Sequence, residues 1–304
     1  MSKIIVGVDE SERSKDALAL AGRLARGSDA ELMLVCVYPH DDVPSRGAAS
    51  GYARYLRDDT VAMLDRFAAD VPEALRVQTR AIPDLSPPRA IQELATSEHA
   101  SLIVIGSSHR GAVGRVLAGT TAERLLHGAP CPVAVAPAGY AEDEGHIGTI
   151  AVGYDGSTES EAALTAAIAV ARSHGARLRV IEVVDLAWMG TPALMTGAGF
   201  VTQPDDLRER ARRHVTEKVT GLPDDIAAHP QVLMGTPEPM LAEQSVHADL
   251  FVVGSRGYGP HRAVLLGSVS GRLVRDAACP VLVVPRGVTA PLEDLFAASQ
   301  TLRA

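Results

Sequence analysis

The chain contains the same pattern twice. Residues 3–9, KIIVGVD, return as residues 149–155, TIAVGYD, an offset of 146 (155 − 9). Ile103-Val104-Ile105-Gly106-Ser107 returns as Val252-Val253-Gly254-Ser255, and Ala129-Pro130-Cys131-Pro132-Val133 as Ala278-Cys279-Pro280-Val281, now at an offset of 148 (254 − 106). The drift of two residues requires small net insertions between the anchors. A period this long is a duplicated domain and not a solenoid unit of roughly 20–50 residues. Whatever the first half folds into, the second must fold into as well. We expect domains over 1–141 and 147–288 and a tail over 289–304. The junction falls in the polar stretch 139–148, where Glu142-Asp143-Glu144 reads as a solvated linker, as does Asp41-Asp42.

Each half has the same order of elements. Short apolar runs rich in β-branched residues, at 3–8 and 149–154, read as buried strands. An Asp and a Ser follow, then Ala and Leu at helical spacing: Ala17, Leu18, Ala21, Leu24 and Ala25, and again Ala163, Leu164, Ala167, Ile168 and Ala171. Further strands are expected at 31–37 and 177–184, 75–82 and 230–234, 101–105 and 249–253, and 133–136 and 281–284. Helices are expected at 53–69 and 205–220, 87–98 and 238–247, and 120–127 and 268–277. Strands alternating with helices imply a parallel sheet covered on both faces. Such sheets bind ligands beyond the carboxyl ends of their strands, at a switch point.

Composition narrows the function. The formal charge is −8 and aromatics are 4% of the chain, so a general nucleic-acid binder, which needs a cationic field and stacking platforms, is not expected. Three Cys without metal spacing fit small buried filler in a reducing compartment. The chain opens directly on a strand, with no signal-like segment and no apolar run near the ~20 residues that span a bilayer, so we expect a cytoplasmic protein. The ten His show no zinc-protease spacing, and neither a G-x-S-x-G elbow nor a nucleophile–base constellation is evident; no catalytic or metal-ligating residue is assigned.

The chemistry sits after the fourth strand of each half. In the second half Gly254-Ser255-Arg256-Gly257 is followed by nine residues and then Gly267-Ser268-Val269. Glycines let backbone N–H groups approach an anion, and Gly267-Ser268 opens a helix whose free N–H groups favour phosphate. The spacing is neither the Walker nor the Rossmann fingerprint.

These residues resemble the ATP-binding subclass of the universal stress protein family, whose signature is Gly, two residues, Gly, nine residues, Gly, then Ser or Thr. The VDES and YDGS turns and the Ala-Pro-Cys-Pro-Val ending are similar too, and the likeness spans nearly the whole chain, twice. It implies two tandem flavodoxin-like or Rossmann-like α/β domains, each a five-stranded parallel sheet of order 3-2-1-4-5 with helices on both faces. It implies adenine-nucleotide binding (ATP, or ADP or AMP, with Mg²⁺ carried by the phosphates) at the switch point. Carried over by position, Asp155 lies by the adenosine and Val183 offers its backbone to the adenine; Asp9 and Val37 are their first-half counterparts. It also implies pairing through the fifth strand, so we expect the two halves to join there antiparallel, with a homodimer and an unidentified regulatory protein as further partners. Stress-response regulation with little or no turnover is the expected function. A slow ATPase or adenylating enzyme, or a nucleotide-free interaction module, are the alternatives.

The first half departs from the signature. It reads Gly106-Ser107-Ser108-His109, nine residues, then Gly119-Thr120, with His109 where the second glycine belongs. A non-Gly residue in left-handed geometry costs roughly 1–2 kcal/mol, and the imidazole either blocks the phosphates or hydrogen-bonds to them. We therefore expect one strong site per chain, in the second half. Plainer readings stand beside these. Asp9 and Asp155 with their serines also read as helix N-caps, Val37 and Val183 as core, and Thr120 and Ser268 as caps of the last helices. Residues 186–203, with the chain's one Trp, form an apolar segment that reads as a lid, a partner surface, or a loop lying on its own domain.

Overall fold

The structure, a computed structural model, describes residues 2–26, 28–40, 48–107, 116, 120–143, 145–185, 203–255, 267–288, 292 and 295–296, with backbone alone for 48–50 and 120. The first half runs β1 (Lys3–Gly7), α1 (Arg13–Ala25), β2 (Glu31–Tyr38), α2 (Ala48–Ala69), β3 (Arg76–Pro83), α3 (Pro87–Ser97), β4 (Leu102–Gly106), α4 (Thr120–Leu126) and β5 (Val133–Ala136). The second repeats it: β6 (Thr149–Gly153), α5 (Thr158–His174), β7 (Arg177–Val184), α6 (Pro204–Thr220), β8 (Ala228–Met234), α7 (Pro237–Gln244), β9 (Leu250–Gly254), α8 (Ser268–Asp276) and β10 (Val281–Val284).

The ten strands among the described residues form one sheet in the order β3-β2-β1-β4-β5-β10-β9-β6-β7-β8. Each half is thus the expected 3-2-1-4-5, and every pairing within a half is parallel. The halves meet where β5 and β10 pair antiparallel, Val281 opposite Val135 and Val283 opposite Val133. The hydrogen-bond parity is legible. Ser107 N–H donates to Ala136 O and Ser255 N–H to Val284 O, so the even residues of β5 and β10 bond their own halves. The backbone groups of Val133, Val135, Val281 and Val283 therefore cross the junction. Pairing removes two apolar edges that would otherwise invite aggregation.

Side-chain alternation sends Ile4, Val6, Ile150 and Val152 to one face, under α1, α2, α5 and α6, and Ile5 and Ala151 to the other, under α3, α4, α7 and α8. The inner strands β1, β2, β4, β5, β6, β9 and β10 are buried on both faces, which is why they read as unbroken apolar runs, whereas the edge strands β3 and β8 are half-buried to exposed. Small side chains let the layers approach; Phe251 is the largest fully buried one.

Three elements differ from expectation. Helix α2 starts at Ala48 and passes through Gly51, whose helical cost of about 1 kcal/mol hides that first turn in the sequence. Strand β8 starts at Ala228 and includes Pro230. Leu178 N–H donates to Ala227 O, so odd residues of β8 face β7 and the missing N–H of Pro230 faces the open edge. The linker carries the third difference: exposed at Ala141, Glu142 and Asp143 as expected, it is also anchored through its backbone. Asp16 of α1, buried, accepts from Gly139 N–H at 3.0 Å and Ala141 N–H at 2.9 Å. Arg23 lies over the Tyr140 ring at 4.1 Å and reaches Asp143 at 3.8 Å. Glu144 and Asp41-Asp42 lie outside the described residues, as do 186–202. Within the expected tail, Leu292, Leu295 and Phe296 are buried in the core between the halves, and Phe296 meets the His174 ring edge-on.

Candidate functional site

Strand order makes β6 and β9 neighbours whose connections leave in opposite directions, and the same holds for β1 and β4. An open parallel sheet has its crevice beyond the strand ends at such a point; of the connection from β9 to α8, residues 256–266 lie outside the described residues. The register pairs Val152 with Val252, which sets Gly153 level with Val253 and carries Gly254 one residue farther toward the strand end.

Asp155 is exposed at this edge. Its Oδ1 accepts from Ser157 N–H at 3.0 Å and from the Ser157 hydroxyl at 2.5 Å. Ser157, not Asp155, caps α5, its Oγ accepting from Ser160 N–H at 3.2 Å. Asp9 repeats the turn, accepting from Ser11 N–H at 2.9 Å and the Ser14 hydroxyl at 3.0 Å, while Glu12 stands at the N-cap of α1 without a side-chain bond. Both carboxylates are thus fixed by the turn before the helix.

The backbone of Val183 follows from strand parity. Tyr154 N–H, the last rung of β6, donates to Ile181 O at 2.9 Å, whereas Val184 O accepts from Gly235 N–H on the β8 side. Val183 shares the parity of Ile181, so its N–H and C=O are directed past the end of β6, over the crevice. Val8 N–H donates to Val35 O at 2.9 Å, which gives Val37 the same aspect in the first half. Both side chains are half-buried against the core. A base edge needs only a donor and an acceptor so aligned.

Gly254 and Gly106 have a second role. A Cβ on Gly254 would lie 2.4 Å from Glu159 O, and one on Gly106 2.3 Å from Arg13 O. These glycines let the first turn of α5 or α1 sit directly on the end of β9 or β4. Neither has positive φ. Gly267 is the N-cap of α8, without a side-chain cap, and Ser268, exposed, and Val269 follow in the first turn. Ser268 does not cap that helix, and no side-chain cap among the described residues occupies its first-turn N–H groups. Arg256, Gly257, His109 and Gly119 lie outside the described residues, and Thr120 begins α4 with its side chain undescribed. Asp155, Val183 and Gly254 therefore lie at the carboxyl ends of neighbouring strands or just after them, and Gly267, Ser268 and Val269 open α8.

The halves differ just beside the crevice. In the second half Tyr154 donates its hydroxyl to Glu161 at 2.6 Å, and Lys218 of α6 pairs with the same carboxylate at 2.5 Å. His214 of α6 lies against the Tyr154 ring at 5.4 Å, and its Nδ1 meets Glu182 of β7 at 2.9 Å. Burial raises the Glu182 carboxyl above its ordinary value against the pull of His214. Burial would raise Glu161 too, but the Lys218 and Tyr154 hydrogen bonds outweigh it and hold it low. By register the first half has Val8 for Tyr154 and Cys36 for Glu182. Met63, beside the buried Leu64, stands for His214, beside the buried Val215. This cluster was missed in the sequence because its members are scattered; the replacement of apolar by polar residues between the repeats was the available signal. A further difference is Ser107, whose hydroxyl is buried without a partner, while Ser255 Oγ accepts from Arg286 N–H at 3.0 Å. Among the described residues no group of three or more His, Cys, Asp or Glu is placed to hold a metal, and no helix is long and apolar enough to cross a membrane.

The profile of the universal stress protein family matches residues 1–137 and, separately, 146–285. This chain is a member of the universal stress protein family. It is similar to a universal stress protein of Mycolicibacterium smegmatis, 32% identical over 297 residues that cover 92% of this chain and 96% of that one. It is similar to one of Mycobacterium tuberculosis, 25% identical over 292 residues, 93% of this chain and 99% of the relative. The crystal structure of a universal stress protein from Archaeoglobus fulgidus superposes with a TM-score of 0.67 at 23% identity, covering 95% and 97% of the two chains, and so shares the fold. The universal stress protein unit thus occurs twice here, back to back across β5 and β10.

Proposed function

We propose that this protein is a stress-response regulator that binds an adenine nucleotide in its second half, ATP first and ADP or AMP as alternatives. The observation that carries the reading is the convergence at one sheet crevice of Asp155, the backbone of Val183, and β9, from whose end the complete Gly254-x-x-Gly257 … Gly267-Ser268 spacing departs. In it Val183 reads the base, Asp155 holds the sugar, and Gly254, Arg256, Gly257, Gly267, Ser268 and Val269 surround the phosphates, with Mg²⁺ carried by the phosphates. Asp9, Val37, Gly106, His109, Gly119 and Thr120 form a weaker counterpart, since His109 replaces the second glycine. The domains extend over 1–141 and 147–288 with the tail 289–304, the location is cytoplasmic, and a homodimer and a regulatory protein partner complete the reading.

Calorimetry on the full chain tests it: one strong ATP site per chain is expected. Gly257→Val, whose branched Cβ blocks both phosphate approach and positive φ, should abolish that site while the melting temperature stays near that of the wild type. Unchanged affinity in the folded variant refutes the phosphate loop, and two equal sites refute the assignment of the weaker role to His109.

A further inference from the structure

The polar cluster beside the crevice of the second half has no counterpart in the first and no role in the reading above. His214 lies on three things at once. Its ring lies tilted against that of Tyr154, the residue before Asp155, at 5.4 Å between centroids and 32° between planes. Its Nδ1 meets Glu182, the residue before Val183. Its other edge packs against Gly156, the residue after Asp155, where an added Cβ would come within 3.2 Å of Nε2. Gly156 has φ +76°, so the turn that presents Asp155 is left-handed at the point where the imidazole touches it. The His214 side chain is 45% exposed and that of Glu182 17%.

We propose that His214 is a positioning residue for the ligand of the second half: gripped by Glu182, it braces the Asp155–Gly156 turn, and its protonation strengthens nucleotide binding there. The inference rests on the reading of this crevice as the nucleotide site. A carboxylate accepts from Nδ1–H in either state of the ring. The neutral ring carries a lone pair on Nε2, and the imidazolium carries a second N–H there. Protonation turns the Glu182 contact, already charge-assisted by the carboxylate, into an ion pair, which stiffens the brace, and adds a positive charge at the base and sugar end of an anionic ligand. The charged groups around the ring are Glu182 from β7, which bonds it, Glu161 from α5 with its Lys218 pair, and Asp155 from the turn, whose field reaches Glu182. On α6 itself Arg210 and Lys218 stand one turn to either side and Glu217 three residues on. In the first half Met63 and Cys36 stand at the places of His214 and Glu182.

Imidazole is the side chain that gains charge between about pH 5 and pH 8. Wild-type protein should bind ATP about threefold tighter at about pH 6 than at about pH 8, the scale of one partly exposed charge pair. His214→Gln keeps a hydrogen-bonding side chain but does not titrate, and should flatten that step; His229→Gln, on the open edge strand, should leave it intact. ATP should also raise the midpoint of the His214 imidazole resonance followed by NMR in the unaltered protein, the reciprocal of the same coupling. That measurement holds even if the Gln variant fails to fold. A step retained in folded His214→Gln, or a midpoint that ATP does not move, overturns the proposal while the nucleotide site stands. Failure of wild-type protein to bind ATP at either pH overturns the site itself, and the proposal with it.

Discussion

Gly254→Ala distinguishes a glycine kept for packing from one kept solely for a ligand. The new methyl carbon would sit 2.4 Å from Glu159 O, 2.7 Å from its carbonyl carbon and 2.9 Å from its Cβ. A carbon and a carbonyl oxygen settle at roughly 3.3 Å even in a close C–H···O contact. The gap must therefore open by roughly 0.9 Å, and the obstructing atoms are backbone. No rotamer change relieves them; the first turn of α5 must lift off the end of β9. That shift disturbs the Arg286–Glu159 pair at 3.2 Å and the Ser157 cap at 3.2 Å. Overpacking of this kind costs about 1–3 kcal/mol, to which a weakened cap adds about 1 kcal/mol. We expect a loss of roughly 2–4 kcal/mol against a total of about 5–15 kcal/mol for a typical fold. Urea unfolding monitored by circular dichroism without nucleotide would read it. Gly106→Ala, 2.3 Å from Arg13 O, should behave alike. Gly175→Ala is the control: nothing lies within 4 Å, and the cost is confined to its positive φ, about 1–2 kcal/mol. If Gly254→Ala unfolds within about 0.5 kcal/mol of wild type, the level of an ordinary surface change, the packing argument is wrong.

The three thiols should resist alkylation in the native protein. Burial raises Cys36 to about 11, with Asp9 and Glu10 adding to it, Cys131 to about 12, and Cys279 upward as well. A raised value means less thiolate, so at pH 8 iodoacetamide should label all three only after denaturation; rapid labelling of Cys131 in folded protein contradicts its burial. The amides of Val135 and Val283 should exchange among the slowest in the chain, since they cross the β5–β10 junction. Fast exchange at both would mean that the halves separate in solution.

The alternation of apolar strands with Ala/Leu-patterned helices, repeated once, was enough to read the α/β class and the element order. That information is local: buried parallel strands announce themselves as continuous β-branched runs, and their helices by small residues at helical spacing. The Gly254-x-x-Gly257 … Gly267-Ser268 pattern was legible for the same reason, as a single stretch of chain. Asp155 was legible as a turn residue, but whether it capped α5 was not, because Ser157 is an equally good cap and only the geometry chose it. The identity of Gly254 as a packing glycine was invisible, since its obstructing atom belongs to Glu159, on another element.

Tertiary structure alone decided the remainder. The anchoring of the acidic linker depends on Asp16, which is buried by α1 packing and turned toward Gly139 and Ala141 more than a hundred residues away. Leu292, Leu295 and Phe296 are buried in a cluster that draws residues from both halves, which no single sequence window contains. The Glu182–His214–Tyr154 cluster joins β7, α6 and the end of β6, three segments that no sequence window contains together. Periodicity records which face of an element is buried; it does not record which residues of different elements meet there. Those meetings are set by strand order and register, and so the fold could be read along the chain while the surroundings of its crevice could not.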